Sequence, residues 1–319
     1  MIVDTRISFR RLIPIIWRRI AAMALLSAAI VVPIELFDLQ FFSLGMTTPL
    51  ILGTAISIFL GFRTNSAYER WMTARRSFGQ MTAQTRNLAL VLARIGGEPY
   101  RRVGGEVGGE RMSEAAPAVM RRMIRRGVAV LYVFARDLRG EGPPLEFETA
   151  GELLSRDERE RAGAHPVPAS YLLFLQARDF REVMRERQLT DGEHFEFVAI
   201  QRELSSLMTA CRGIATTPFP THYTFFTDVF IWLLVVLLSL SLPSEEVNGF
   251  YAIPAVVLIG WIFTMIEGIG SYMDHPWAFN RNTVPATALA RDLERELRAT
   301  ALEDTTLPPA KVAVEGAVY

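Results

Sequence analysis

The chain has one cysteine, Cys211, and one lysine, Lys311. A single thiol excludes an intrachain disulfide and any thiolate metal cage within one subunit. The histidines His165, His194, His222 and His275 are scattered without ligand spacing, and there is neither a Gly-x-x-x-x-Gly-Lys phosphate loop nor a His-Glu-x-x-His pair. No enzyme, cofactor or metal is therefore expected. No strand-like alternation of any length competes with the helical patterns, so the expected fold class is all-α. The formal net charge is zero, which argues against nucleic acid or another polyanion as partner. An internal repeat and a charged residue at mid-membrane, both used by coupled transporters, are also missing.

Half of the 319 residues are apolar, and they gather in a few uncharged runs. A bilayer is crossed by about 20 residues, with a range of about 17 to 25. Three runs match or come close: Phe41 to Phe62, Val229 to Ser244, and Phe250 to Ile266. A fourth, Ile20 to Ile34, extends past Glu35 to Phe37, with Pro33 kinking its end. Small residues Ala28 and Ala29 are followed by apolar residues through Val32, so this run is expected to stay as a span rather than to be cleaved as a signal peptide. Four spans result. Asp228 and Glu267 fall at the rims of the third and fourth.

Arginine supplies nearly all the basic charge, which a GC-rich genome explains as well as chemistry does, but its placement is informative. Arg6, Arg10, Arg11, Arg18 and Arg19 precede the first span; Arg63, Arg70, Arg75 and Arg76 follow the second; Arg281, Arg291 and Arg295 follow the fourth. The short links Asp38 to Gln40 and Ser244 to Gly249 have no basic residue. The positive-inside rule puts both termini and the long middle segment in the cytoplasm and the short links outside.

The middle segment reads as helical. Tyr68, Met72, Phe78, Met81, Leu88 and Leu92 recur at helical spacing, so the second span is expected to continue out of the membrane until Gly96 and Gly97. A Gly-Gly-Glu-rich insertion from Gly104 to Met112 reads as flexible. Further helices are expected at Ala115 to Arg139, Pro168 to Arg187, Gly192 to Arg212 and, amphipathically through Leu289, Leu293 and Leu297, Val284 to Leu302. The expected divisions are an arm with the first two spans (1–62), a cytoplasmic helical region (63–221), the third and fourth spans (222–267), and a C-terminal helix and tail (268–319).

The second run carries two stripes. Gly53, Ser57 and Gly61 form a small one that admits a neighbouring helix. Thr54, Ile58 and Phe62 lie one above another on a second face. In a ring of identical subunits those three positions stack into hoops around a pore.

Leu60 to Trp71 reads LGFRTNSAYERW and runs on through Ala74, Arg75 and Arg76 to Gly79; Thr217-Pro218-Phe219-Pro220 followed by Tyr223 leads into the third span. Together with the span count and the intervening length, these landmarks resemble the bacterial branch of the bestrophin family across most of the chain. The resemblance implies a homopentameric ion channel in a cell membrane, with a narrow neck in the bilayer and a second constriction in the cytoplasmic part. The family's neck positions fall on Thr54, Ile58 and Phe62. Threonine departs from the apolar pattern, and its hydroxyl is expected to hold water. The second constriction falls on Phe195, beside Glu193, His194 and Glu196. Animal members bind calcium through an acidic cluster after the fourth span; the corresponding Asp274-His275-Pro276-Trp277-Ala278-Phe279-Asn280-Arg281 is poor in oxygen ligands, so no calcium gating is expected there.

Arg63, directly after Phe62, is the candidate to attract anions, with pairing to Glu69 or to a neighbouring subunit as the other reading. His222 and Asp228 are either an acid–base pair or separate interfacial polar residues. Chloride is the favoured ion. A channel for monovalent cations and a non-conducting membrane-anchored scaffold stand as alternatives.

Overall fold

Helices make up all the regular structure that the computed structural model describes, which covers residues 9–37, 44–97, 115–140, 148–187, 189–217, 220–243, 249–278, 283–302 and 306–309. Among these residues there is no strand. The chain divides into two compact units, one formed by Asp4–Trp71 with Thr217–His275, the other by Met72–Thr216 with Pro276–Tyr319 and Met1–Val3.

The first unit holds four helices long and apolar enough to cross a membrane: α1 (Phe9–Leu36), the opening part of α2 (Thr47–Gly97), α8 (Thr221–Ser241) and α9 (Ala252–Asp274). Three of these helices exceed the apolar runs that announce them. α1 begins well before Ile20, α8 includes Asp228, and α9 passes Glu267 by a further two turns. Asp228 and Glu267 stay in their helices because a cationic partner neutralises each, as described below. The core is Met23 of α1, Ile56 and Leu60 of α2, Ile231, Leu234, Val235 and Leu238 of α8, and Val256 of α9. Lipid gives such helices no hydrophobic drive to associate, so close packing and hydrogen bonds hold them. At Gly260 a Cβ would lie 2.9 Å from the Met23 sulfur and 3.0 Å from a Val235 methyl, so α9 passes close to α1 and α8 and a larger residue there would require those side chains to shift. Beside that crossing the Ser239 and Ser27 hydroxyls are bonded at 3.0 Å. Leu25, Leu233, Leu258 and Ile262 remain exposed on the single chain, available to lipid or to other copies.

The second unit contains the rest of α2, then α3 (Ala115–Arg139), α4 (Glu148–Leu153), α5 (Arg156–Gly163), α6 (Pro168–Arg187), α7 (Asp191–Thr216) and α10 (Ala286–Thr300). α2 is 51 residues long, about 75 Å at about 1.5 Å per residue, against about 30 Å for the bilayer's hydrocarbon layer. Its Phe78, Met81, Leu88 and Leu92 are fully buried, and Thr85 and Leu88 close on Gly127 of α3, where a Cβ would sit 3.2 Å from the Thr85 methyl. α3 packs against α4, α6, α7 and α10. Its Arg126 is buried between Glu158 of α5 and Asp179 of α6, with the Asp179 contact at 2.7 Å. Tyr132 donates to Glu294 of α10 at 2.8 Å, and burial raises its phenol pKa far above the ordinary value. Burial likewise pushes the Cys211 thiol up to about 12, leaving it a packing residue of α7. The Gly104 to Met112 insertion and the Asp38 to Gln40 link lie outside the described residues.

Candidate functional site

Between Thr47 and Trp71, α2 shows a buried stripe of Ile56, Leu60, Arg63 and Ala67. At about 100° per residue, Thr54, Ile58 and Phe62 point about 180° away from that stripe. All three are exposed, Ile58 at 55% and Phe62 at 68%. The intrachain packing thus consumes one side of the helix and leaves the other, apolar side free. The Thr54 hydroxyl donates to the Leu50 carbonyl at 2.8 Å, so it can accept from water but has no proton left to give. Ser57 does the same toward Gly53, also at 2.8 Å. Of the small stripe, a Cβ at Gly53 would lie 3.8 Å from Leu234 of α8, while nothing lies within 4 Å of one at Gly61.

Arg63 requires a correction. The sequence offers it as an anion-attracting side chain or as a partner for Glu69, yet its guanidinium is 1% exposed and faces α9. Nη1 donates to Glu267 at 2.7 Å and Nη2 to the Ser271 hydroxyl at 2.7 Å, with Asp274 Oδ2 at 3.5 Å. Glu69 accepts instead from Asn65 at 3.1 Å. Arg70, two turns along α2 from Arg63, donates through Nε to the Asp274 carbonyl at 3.1 Å. The α2 segment that carries Phe62 is therefore fastened to α9 by charge-assisted bonds immediately behind the exposed face. Such a buried pair costs much to desolvate and more to break. Ser271 also donates to Glu267 at 2.8 Å, so one carboxylate oxygen is shared by two donors.

Two further anchors escape a reading of the sequence. Asp228 accepts from Arg19 at 3.1 Å, which replaces the imagined His222 partner. Tyr223 donates to the Phe59 carbonyl at 3.0 Å, and the two rings lie 5.6 Å apart. This bond ties the start of α8 to α2 just after the Thr217 to Pro220 landmark, of which Pro218 and Phe219 lie outside the described residues. A charge at the rim of an apolar run and a tyrosine just ahead of it are the signals that would have flagged both. Their partners lie more than 160 residues away, so no local pattern identifies them.

In the second unit, Phe195 of α7 is 69% exposed, which removes it from the helix core. Its neighbour Phe197 takes that role, stacked on Phe180 at 3.5 Å between centroids. The carboxylates beside it are engaged: Glu196 with Arg94 at 2.5 Å, and Glu193 in a capping box with Thr190. Asp274 is held by Arg63, and Asn280 lies outside the described residues.

The family model described as Bacterial/Fungal Bestrophin protein matches residues 5–299. The voltage-dependent anion channel-forming protein YneE of Salmonella typhi is 25% identical over 283 residues, covering 88% of this chain and 85% of that protein. A protein of Mesorhizobium japonicum, also named a voltage-dependent anion channel-forming protein, is 24% identical over 88% of this chain and 84% of its own length. The crystal structure of a bacterial bestrophin homolog from Klebsiella pneumoniae superposes with a TM-score of 0.77 at 22% identity, covering 91% of this chain and all of that one.

Proposed function

The chain belongs to the bacterial and fungal bestrophin family, and on that premise we propose that it forms a passive anion channel in a bacterial inner membrane, with α2 of every copy turning Thr54, Ile58 and Phe62 toward a common axis. The observation that carries this reading is the exposure of those three side chains opposite the buried stripe of α2. Five copies in a closed ring fit heterologous contacts between identical subunits. In this arrangement the unit rich in arginine and the two termini lie in the cytoplasm, in line with the positive-inside rule, and exposed Phe195 forms a second collar there.

Ile58 and Phe62 act as a hydrophobic gate. An ion sheds part of its hydration between them, and small changes in radius switch the passage between wet and dry. Thr54 marks the outer, wetter end as an acceptor only. Because Arg63 is neutralised behind the helix, anion preference does not come from its charge. A phenylalanine ring carries partial positive charge at its edge, so rings turned edge-on to the axis favour anions without a fixed charge. The names of the relatives point to the same ion class. The test is the reversal potential of purified protein in planar bilayers under a sodium chloride gradient. A value near the chloride equilibrium potential is expected; one near the sodium potential would show a cation channel of the same fold, and no current would favour a scaffold.

A further inference from the structure

The second unit contains a cleft of about 420 Å³ between the first half of α3 and the corner joining α4 to α5. Three arginines of α3 line it, Arg121, Arg122 and Arg125, facing Glu152 and Glu158 with Leu153 and Leu154 between. The charges do not cancel. Arg122 is held by Asp179 at 3.0 Å, but Arg121 and Arg125 are exposed and have no ion pair or hydrogen bond among the described residues. On the opposite wall, Glu158 is already spent on buried Arg126 and on Ser155. Glu152 is 72% exposed and, among the described residues, reaches Arg298 at 4.0 Å. Arg126 itself, behind Glu158, keeps a buried Nη1 without an acceptor.

Arg121 and Arg125 stand four residues apart, and positions so spaced are neighbours on one helix face. Two guanidinium forks so placed, neither in an ion pair among the described residues, match the oxygens of a phosphate group. The cleft volume lies in the range of small-molecule sites, about 300 to 1,000 Å³. We infer that this cleft binds a small soluble phosphorylated molecule, with Arg121 and Arg125 holding its phosphate groups. The site belongs to the unit without membrane spans and does not depend on conduction, so it stands or falls separately from the channel reading.

The probe is inorganic pyrophosphate, titrated calorimetrically into the detergent-solubilised full-length protein at constant ionic strength. Saturable binding is expected, weakened by roughly tenfold or more in the double variant Arg121→Gln/Arg125→Gln. Both side chains are exposed and unpaired, so the variant should keep its thermal unfolding midpoint. The charge-matched control Arg185→Gln/Arg202→Gln, outside the cleft, should bind as the parent does. Absence of saturable binding overturns the inference. So does unchanged affinity in the cleft variant, or an equal loss in the control, which would reduce the effect to general attraction by net charge.

Discussion

Arg63→Met is expected to destabilise the protein by about 3 to 5 kcal/mol, the usual cost of breaking a buried ion pair from one side. The guanidinium is 1% exposed, and its removal leaves Glu267 and Asp274 buried together without their main counter-charge. Arg19 compensates only in part, because its Nη1 is bonded to Asp228 at 3.1 Å and stands 3.9 Å from Glu267. The thermal midpoint of the purified protein should fall on the order of 10 °C. Adding Glu267→Gln and Asp274→Asn to Arg63→Met should recover much of that loss, since the neutral amides no longer demand a cation. Arg63→Lys keeps the charge but not the fork that meets Glu267 and Ser271 at once, so an intermediate loss is expected. A midpoint unchanged by Arg63→Met would mean that the side chain is not confined to this pocket. A reversal potential altered by Arg63→Lys would return it to the ion pathway.

Ile58→Ala with Phe62→Ala is expected to raise single-channel conductance several-fold while leaving stability nearly unchanged. Both side chains are largely exposed on the chain, so their truncation opens no cavity in the core and should cost under about 1 kcal/mol within a subunit. The barrier they pose to a hydrated ion is removed with them. The neighbouring pair Ile56 and Leu60, each 1% exposed, supplies the reverse case. Truncating either to alanine should cost about 2 to 5 kcal/mol through the cavity left behind, with conductance little altered in whatever assembles. The two pairs share a helix and an apolar character and differ chiefly in the face they occupy. If the exposed pair left the current unchanged, the neck would have to be elsewhere.

Much of the helical layout was legible from periodicity and punctuation. α3 and α6 begin and end at the residues expected, Ala115–Arg139 and Pro168–Arg187, because polar and proline-rich stretches bracket strongly patterned segments. α2 continues to Gly97, as the buried stripe through Phe78, Met81, Leu88 and Leu92 implies. The misses have physical causes. α4 and α5 lie in a stretch with few apolar residues, although the Ser155-x-x-Glu158 capping box was there to be read. The spans appeared too short because charged residues end an apolar run on paper, whereas Asp228 and Glu267 are neutralised by Arg19 and Arg63 and stay within their helices. Arg63 illustrates the deeper limit. Adjacency to Phe62 suggested a shared face, but one residue is about 100° of helix, enough to turn the arginine into the core while the phenylalanine looks out. Which face of α2 is free became visible only once α8 and α9 were seen to cover the other.

The most direct test of this account is a cryo-electron microscopy structure of the purified assembly in lipid nanodiscs. The expected result is a ring of five subunits in which Thr54, Ile58 and Phe62 of every copy surround an axial passage, narrowest at Phe62. Side chains of Ile58 and Phe62 packed between subunits or turned to lipid, with no opening along the axis, would contradict it.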